Sequence, residues 1–435
     1  MRIKVEGSQP LRGTFQVGGS GNSALALIAG SMLTDQVVTL HNVPTTANVA
    51  AMFEIARTLG LESMDMTSAL SGQSNSKGSY SLTTPHINAR QLDRAHTDQL
   101  TASILFLAPI LSRRGHARLL LNVPLSRYQP HFSAIRDLGG AIKMASDGVV
   151  DFDLPRWNKR ELILTQSSVT ATSLVAMLAA TLGTETIIHN AASEPHVTDL
   201  LWLLRQMGAQ IEGSGSNLLR VRGVATENFL SGADLTISPD HIEAASIAAI
   251  SALTDGRVIV QGVRPVDMQM ILKVYERLGL RADLDADTLN VFAPRPFSIS
   301  EQDEDVDLAI ETSPWPGFPS DLAAMATVVA TQARGTVLVH EKLFSNRLLF
   351  VDKLNGLGAQ IVLCDPHRAI VIGPTPLRGD YIDNPDVRTG LAMLAAALCA
   401  QGVTTIDNAE MFDRLFANVL ERLIALGAHI YRDGN

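Results

Sequence analysis

The stretch VVTLHNV (residues 37–43) is followed along the chain by IARTLGLE (residues 55–62), and the two segments describe one small structural unit. Apolar and polar residues alternate through the first segment, which predicts a β-strand with one buried face. The second segment ends in Leu-Gly, which is typical of a helix that stops at a glycine. We therefore interpret residues 37–62 as a strand, a loop and a helix that ends at Gly60.

Five further copies of this unit follow along the chain. They read ARLLLNV…IRDLGGAI, ETIIHNA…LLRQMGAQI, RVIVQGV…VYERLGLRA, TVLVHEK…LNGLGAQI and VTTIDNA…LIALGAHI. The glycines that end the six helices are Gly60, Gly139, Gly208, Gly279, Gly358 and Gly427. Their spacings of 79, 69, 71, 79 and 69 residues fit two groups of three. A regular period indicates a repeat architecture, and this order predicts two similar halves.

A second helix, made of small apolar residues, accompanies each unit. Its apolar residues lie on nearly all faces, so we expect each of these helices to be fully buried. Their amino termini are predicted at or near Asn22, Thr101, Thr170, His241, Asp321 and Arg388. Ordinary N-capping explains Thr101 and Thr170. It does not explain Arg388, because the helix dipole disfavours a cation there, so an anion is expected nearby.

Composition narrows the class of protein. The chain has 435 residues, 46% of them hydrophobic, and a net charge of −9, which argues against a nucleic-acid partner. No signal-peptide core opens the sequence, and its apolar runs are too short to cross a bilayer, so we expect a cytoplasmic protein with no membrane partner. Cys364 and Cys399 are predicted to be buried, inert thiols rather than a disulfide. We expect neither a cofactor nor a metal.

The segment VGGSGNSALALIAG (residues 17–30) has the pattern of an anion-binding loop that leads into a helix. Glycines let the backbone approach a ligand, and the free N–H groups at the helix start face it. A lysine or arginine usually completes such a site, but Gly21 stands where that cation is expected.

Four longer motifs occur in order along the chain: NAASEPHVTDL (residues 190–200), SPDHIEAAS (residues 238–246), SPWPGFPSD (residues 313–321) and EKLFSNR (residues 341–347). With the six units, they make the chain resemble the enolpyruvyl transferase family over nearly its whole length. Within that family, the branch that acts on UDP-N-acetylglucosamine is more similar than the branch that acts on shikimate 3-phosphate.

The resemblance implies a fold and a reaction. The fold is a two-domain inside-out α/β barrel with buried axial helices. Residues 21–231 would form the first domain, residues 1–20 with 232–435 the second, and ligands would bind in a cleft between them. The reaction protonates the methylene of phosphoenolpyruvate, adds a substrate hydroxyl to the resulting cation and eliminates phosphate.

The resemblance also implies site residues. Asp321 would contact the attacking hydroxyl, and Arg347 and Arg388 would bind phosphoenolpyruvate or another small anion. A UDP-sugar or related nucleotide would contact Asn22, Arg127, Ser168, Val169, Thr170, Leu343 and Phe344, with Arg127 acting as a third anion-binding arginine. Simpler roles stay open: N-capping for Asp321, and a surface salt bridge for Arg347 and for Arg388.

Several positions depart from the family pattern. Gly21 and Gln166 replace lysines, Thr101 replaces an arginine, and the short loop Asn122–Arg127 lacks the Cys or Asp that serves as the acid. A missing general acid typically costs roughly 10²–10⁴ in rate. We therefore expect weak or absent activity with the family's usual substrates, with His131 as the nearest substitute acid.

Three hypotheses remain open. The first is an enolpyruvyl transferase acting on UDP-N-acetylglucosamine or a close relative, in the synthesis of peptidoglycan precursors. The second is a diverged transferase with another nucleotide or sugar acceptor. The third is a non-catalytic paralogue that binds a ligand or partner.

Overall fold

The computed structural model describes residues 1–67, 78–122, 125–145, 147–224, 230–292, 297–299 and 309–433. The chain forms two compact units. We call Gly19–Ser238 the middle unit, and Met1–Gly18 together with Pro239–Asn435 the terminal unit.

The described residues form six four-stranded sheets. Their strands, in chain order, are β1 (Ile3–Glu6), β2 (Arg12–Gln16), β3 (Val38–Val43), β4 (Glu62–Asp65), β5 (Gly78–Thr83), β6 (Gln91–Leu92), β7 (His116–Leu120), β8 (Ala141–Met144), β9 (Val149–Asp153), β10 (Trp157–Ile163), β11 (Gly183–His189), β12 (Gln210–Glu212), β13 (Leu218–Arg222), β14 (Ala233–Thr236), β15 (Arg257–Gln261), β16 (Arg281–Asp285), β17 (Thr288–Phe292), β18 (Ala309–Glu311), β19 (Gly335–His340), β20 (Gln360–Asp365), β21 (Arg368–Gly373), β22 (Tyr381–Ile382), β23 (Val403–Ile406) and β24 (His429–Arg432).

The six sheets share one pattern of strand pairing. The orders in the middle unit are β14-β3-β5-β4, β6-β7-β9-β8 and β10-β11-β13-β12. Those in the terminal unit are β2-β15-β17-β16, β18-β19-β21-β20 and β22-β23-β1-β24. In every sheet the first two strands run parallel and the remaining neighbours antiparallel. The repeat identified in the sequence is thus built six times, three times in each unit.

Helices cover these sheets and fill the cores. The α-helices, in chain order, are α1 (Gly21–Ser31), α2 (Ala47–Leu59), α3 (Arg94–Gln99), α4 (Leu107–Arg114), α5 (Gln129–Asp137), α6 (Val169–Leu182), α7 (Pro195–Gln206), α8 (His241–Leu253), α9 (Pro265–Arg277), α10 (Ala323–Gln332), α11 (Val351–Gly356), α12 (Gly390–Cys399), α13 (Phe412–Leu415) and α14 (Val419–Ala425). Short 3-10 helices occupy Thr101–Phe106, Leu125–Tyr128, Ser320–Leu322 and Ala409–Met411. Within the described ranges, no helix is both long and apolar enough to cross a membrane.

The small-residue helices form the cores, as their composition predicts. Along α1, α6, α8, α10 and α12, nearly every residue is buried. Each unit has its own continuous apolar core. All six glycines predicted to end helices have a positive φ, between 88° and 113°. A residue with a side chain would be strained at this left-handed position.

The helix starts lie within about two residues of the predicted positions, but the predicted caps Thr101 and Thr170 were wrong. Ser20, Ser168 and Asp240 cap α1, α6 and α8 through their side chains. Thr170 therefore lies inside α6, and Thr101 opens a 3-10 helix that has no side-chain cap. The helix predicted at Arg388 begins two residues later, at Gly390.

The prediction of two buried thiols was wrong. Cys364 is exposed and Cys399 is half-buried, and the two do not form a disulfide. Cys364 lies on β20, an edge strand whose alternate side chains point to solvent. An apolar run in the sequence could not reveal which face of an edge strand carries the thiol.

Candidate active site

In the terminal unit, the turn before α10 determines the position of Asp321. The backbone N–H of Ser313 donates to the carbonyl of Phe318 at 3.1 Å, which closes the proline-rich segment into a tight loop. Phe318 is buried beneath it. The chain then enters the 3-10 turn Ser320–Leu322, and the side chain of Asp321 is left 44% exposed. The N-cap positions of the 3-10 turn and of α10 are Pro319 and Leu322, so Asp321 is the N-cap of neither helix.

Arg347 lies directly against that carboxylate. Its Nη1 donates to Oδ1 of Asp321 at 3.1 Å and to Oγ of Ser320 at 2.5 Å. Its guanidinium also lies over the ring of Phe344, 3.9 Å from the ring centroid. The Arg347 side chain is only 15% exposed, so three neighbours hold the cation in one orientation.

The other predicted residues of the terminal unit are more open to solvent. Leu343 and Phe344 are 38% and 47% exposed in the loop after β19. Arg388 is exposed just before α12, and the carboxylate of Asp386 accepts the backbone N–H groups of Arg388 and Thr389. The start of α12 is buried at Thr389 and Gly390, and Arg388 before it is exposed, where a cation can bind a soluble anion.

In the middle unit, the glycine-rich loop leads into α1 as predicted. Ser20 accepts the N–H of Ser23, and Asn22 is exposed in the first turn. A Cβ at Gly19 would lie 1.8 Å from the carbonyl oxygen of Asn42, so only glycine fits there. The hydroxyl of Ser23 donates to the buried carboxylate of Asp199 at 2.7 Å, which fixes the start of the helix.

The start of α6 brings together a second set of predicted residues. The Ser168 hydroxyl accepts the N–H of Ala171 at 3.3 Å, and Val169 is half-buried. Thr170 Oγ1 lies 2.7 Å from Nε2 of His131, a residue that is 3% exposed. Burial lowers the pKa of His131 to about 4, because the charged form would lose its hydration. The ring is therefore neutral at neutral pH, which argues against His131 as a substitute acid.

Arg127 lies beside Thr101, the residue that replaces an arginine of the family pattern. It lies in the 3-10 helix Leu125–Tyr128, and its Nη1 is 3.5 Å from Oγ1 of Thr101. Gln166 is exposed before α6. Within the short loop Asn122–Arg127, residues 123 and 124 lie outside the described residues.

Three polar residues that order these sites were not identified from the sequence: Ser320, Glu341 and Asp199. Each belongs to one of the quoted motifs, and Glu341 and Asp199 are buried. A buried carboxylate requires hydrogen-bond donors. The acidic residues inside these motifs were therefore a signal for Glu341 and Asp199, whereas Ser320 gave no such signal.

Comparison with known proteins gives a consistent result. The family described as EPSP synthase (3-phosphoshikimate 1-carboxyvinyltransferase) matches residues 5–423. UDP-N-acetylglucosamine 1-carboxyvinyltransferase of Treponema denticola is 36% identical over 98% of each chain. The protein of that name from Bradyrhizobium diazoefficiens is 38% identical, over 98% of this chain and 97% of its own.

Solved structures agree on the fold. The enolpyruvyl transferase NikO from Streptomyces tendae superposes with a TM-score of 0.87 at 21% identity, covering 99% of this chain and 98% of its own. EPSP synthase from Acinetobacter baumannii gives a TM-score of 0.73 at 16% identity, covering 99% of each chain. These likenesses confirm the predicted fold class.

Proposed function

The chain belongs to the enolpyruvyl transferase family, and on that premise we propose that it transfers the enolpyruvyl group of phosphoenolpyruvate to a hydroxyl of UDP-N-acetylglucosamine. The single observation that carries the proposal is near-full-length identity of 36–38% to proteins of that named activity. We place the protein in the cytoplasm, in the synthesis of peptidoglycan precursors.

The ion pair of Asp321 and Arg347 supports the chemistry of the acceptor hydroxyl. A half-exposed carboxylate can accept the hydroxyl proton while the oxygen attacks C2 of phosphoenolpyruvate and C3 takes up a proton from solvent. Phosphate then leaves C2 and C3 loses a proton, which restores the double bond. Arg347 and Arg388 are proposed to bind the carboxylate and phosphate of that substrate, because guanidinium groups match both in charge and geometry. Leu343 and Phe344 offer exposed apolar surface for the sugar nucleotide.

The middle unit is proposed to bind the diphosphate and sugar. Asn22 and the Ser168–Thr170 turn offer neutral donors at helix starts, where anions are favoured. Arg127 supplies a cation beside Thr101. Because Gly21 and Gln166 carry no charge, stabilisation of the departing phosphate is weaker than in the family pattern, and we expect slow turnover.

A coupled phosphate-release assay tests the proposal. Purified protein is incubated with phosphoenolpyruvate and UDP-N-acetylglucosamine, with omission of either substrate and with UDP-glucose as controls. We expect slow release that requires both substrates and disappears in Asp321→Asn. Absence of release, together with absence of phosphoenolpyruvate binding by calorimetry, would reject the proposal.

A further inference from the structure

Glu341 is a buried carboxylate beside the proposed active site, and the reaction does not use it. It follows β19, has no exposed surface, and accepts four hydrogen bonds. Thr312 Oγ1 donates to Oε1 at 2.9 Å, as do the N–H groups of Leu343 at 2.9 Å and Phe344 at 3.2 Å. Ser320 Oγ donates to Oε2 at 2.5 Å.

The direction of the Ser320 hydrogen bonds follows from this arrangement. An ionised carboxylate accepts hydrogen bonds and cannot donate them, so Ser320 must give its single proton to Glu341. Its oxygen then presents lone pairs to Nη1 of Arg347, a group that can only donate. The same Nη1 donates to Asp321. One buried charge therefore fixes the orientation of the guanidinium through a single hydroxyl.

We propose that Glu341 is a positioning residue that sets Arg347 against Asp321 through Ser320, an inference that deepens the proposed function and rests on it. Glu341 also holds the backbone of Leu343 and Phe344, and the Phe344 ring supports the guanidinium from one face. The carboxylate thus orders both the polar and the aromatic contact of Arg347. It touches no reacting atom.

Glu341→Gln is the sharpest variant, because it keeps the shape and removes only the charge and one acceptor. Oε1 faces three donors, so the amide oxygen takes that side and the NH₂ group turns to Ser320. Ser320 must then accept from the amide, and its own proton no longer has Glu341 as an acceptor. The amide and Arg347 then compete for the same hydroxyl oxygen, so the contact with Arg347 weakens.

Steady-state kinetics test this step. We expect Glu341→Gln to lower kcat/KM for phosphoenolpyruvate by roughly 10- to 100-fold, mainly by raising KM, since a charge-assisted hydrogen bond is removed. Ser320→Ala should cause a loss of similar size. If Glu341 acts through Ser320, the double variant loses little more than either single variant. Additive losses, or a normal KM in Glu341→Gln, would overturn the proposal.

Thr312→Val is the matched control. It removes another hydrogen bond to the same carboxylate without changing the donor to Oε2, so KM for phosphoenolpyruvate should stay normal even if the melting temperature falls. A misfolded variant would lose kcat through its active fraction and keep KM.

A crystal structure of Glu341→Gln separates this inference from the proposed function. In the variant, the Ser320 Oγ to Arg347 Nη1 contact should lengthen or break even if the wild-type protein proves to turn over no substrate. An unchanged contact in the variant would overturn the proposal. An altered contact in the variant, together with an inactive wild-type protein, would count against the proposed function alone.

Discussion

The two units prepare polar groups at their core helices in different ways. In the terminal unit, Asp321 and Arg347 form a charged pair that is ordered by the buried carboxylate of Glu341. In the middle unit, Thr170 is held by His131, which burial keeps neutral. The terminal unit thus holds two charged side chains in place, and the middle unit holds uncharged ones.

This difference has a physical consequence for substitutions. A charged pair with a buried partner loses much of its function when one member is removed, because the remaining groups keep their desolvation cost. A neutral helix start can accept a new charge nearby at a small cost. The terminal unit should therefore be sensitive to loss of charge, and the middle unit responsive to its gain.

The largest effect is expected for Asp321→Asn. Without the carboxylate, no group accepts the hydroxyl proton, and kcat should fall by roughly 10²–10⁴. Asp352→Asn, which changes an exposed carboxylate in α11 of the same unit, is the control and should keep normal turnover. Phosphate release measures both. Normal turnover in Asp321→Asn would show that the charged pair of the terminal unit is not needed for catalysis.

The next effect concerns the pH dependence of stability in the middle unit. The pKa of His131 is lowered from 6.5 to about 4 on folding, so the unfolded chain takes up the proton first. The folded state therefore has its full stability, as far as His131 is concerned, above pH 6.5. As the pH falls from 6.5 towards 4, the free energy of unfolding decreases by about 3 kcal/mol.

Urea unfolding of the wild-type protein and His131→Gln between pH 7 and 4.5 checks this. The variant should lose less stability over that range, while His86→Gln, a change at an exposed histidine of the same unit, should follow the wild type. Parallel curves for the wild type and His131→Gln would show that the middle unit does not depend on a neutral ring.

Much of the fold could be predicted from the sequence because its signals are local. A helix stop needs a left-handed residue, and all six glycines have positive φ. All-apolar helices must be buried, and they are. The position of Asp321 follows from prolines close by in the chain, so the site motif was also readable.

The unpredicted features depend on contacts between distant residues. The bond from His131 to Thr170 spans 39 residues, and that from Arg347 to Asp321 spans 26. The exposure of Cys364 depends on the edge position of β20, which is a property of the whole sheet. No local pattern in the sequence encodes such partners.

A smaller effect, and of opposite sign, is expected for Gly21→Lys. Gly21 opens α1 with helical backbone, so lysine fits the chain conformation. A cation there should strengthen binding of the departing phosphate and raise the rate of release roughly 10- to 100-fold. The helix dipole opposes it by only about 0.3–1 kcal/mol. Ala47→Lys, the same charge at the first residue of α2, is the control and should leave the rate unchanged.

The smallest effect is expected when Cys364 is labelled or replaced. This change tests whether the function of the terminal unit is confined to Asp321, Arg347 and Glu341. The thiol is exposed on β20, so a thiol reagent should label it quickly at neutral pH, whereas Cys399 in α12 should react more slowly. Labelled protein and Cys364→Ser should both keep turnover within about twofold, since surface substitutions rarely exceed 0.5 kcal/mol. The measurement is phosphate release before and after labelling, with mass spectrometry to identify the modified residue. Loss of turnover on labelling of Cys364, prevented by phosphoenolpyruvate, would place a reactive thiol at the substrate and extend the site of the terminal unit beyond Asp321 and Arg347.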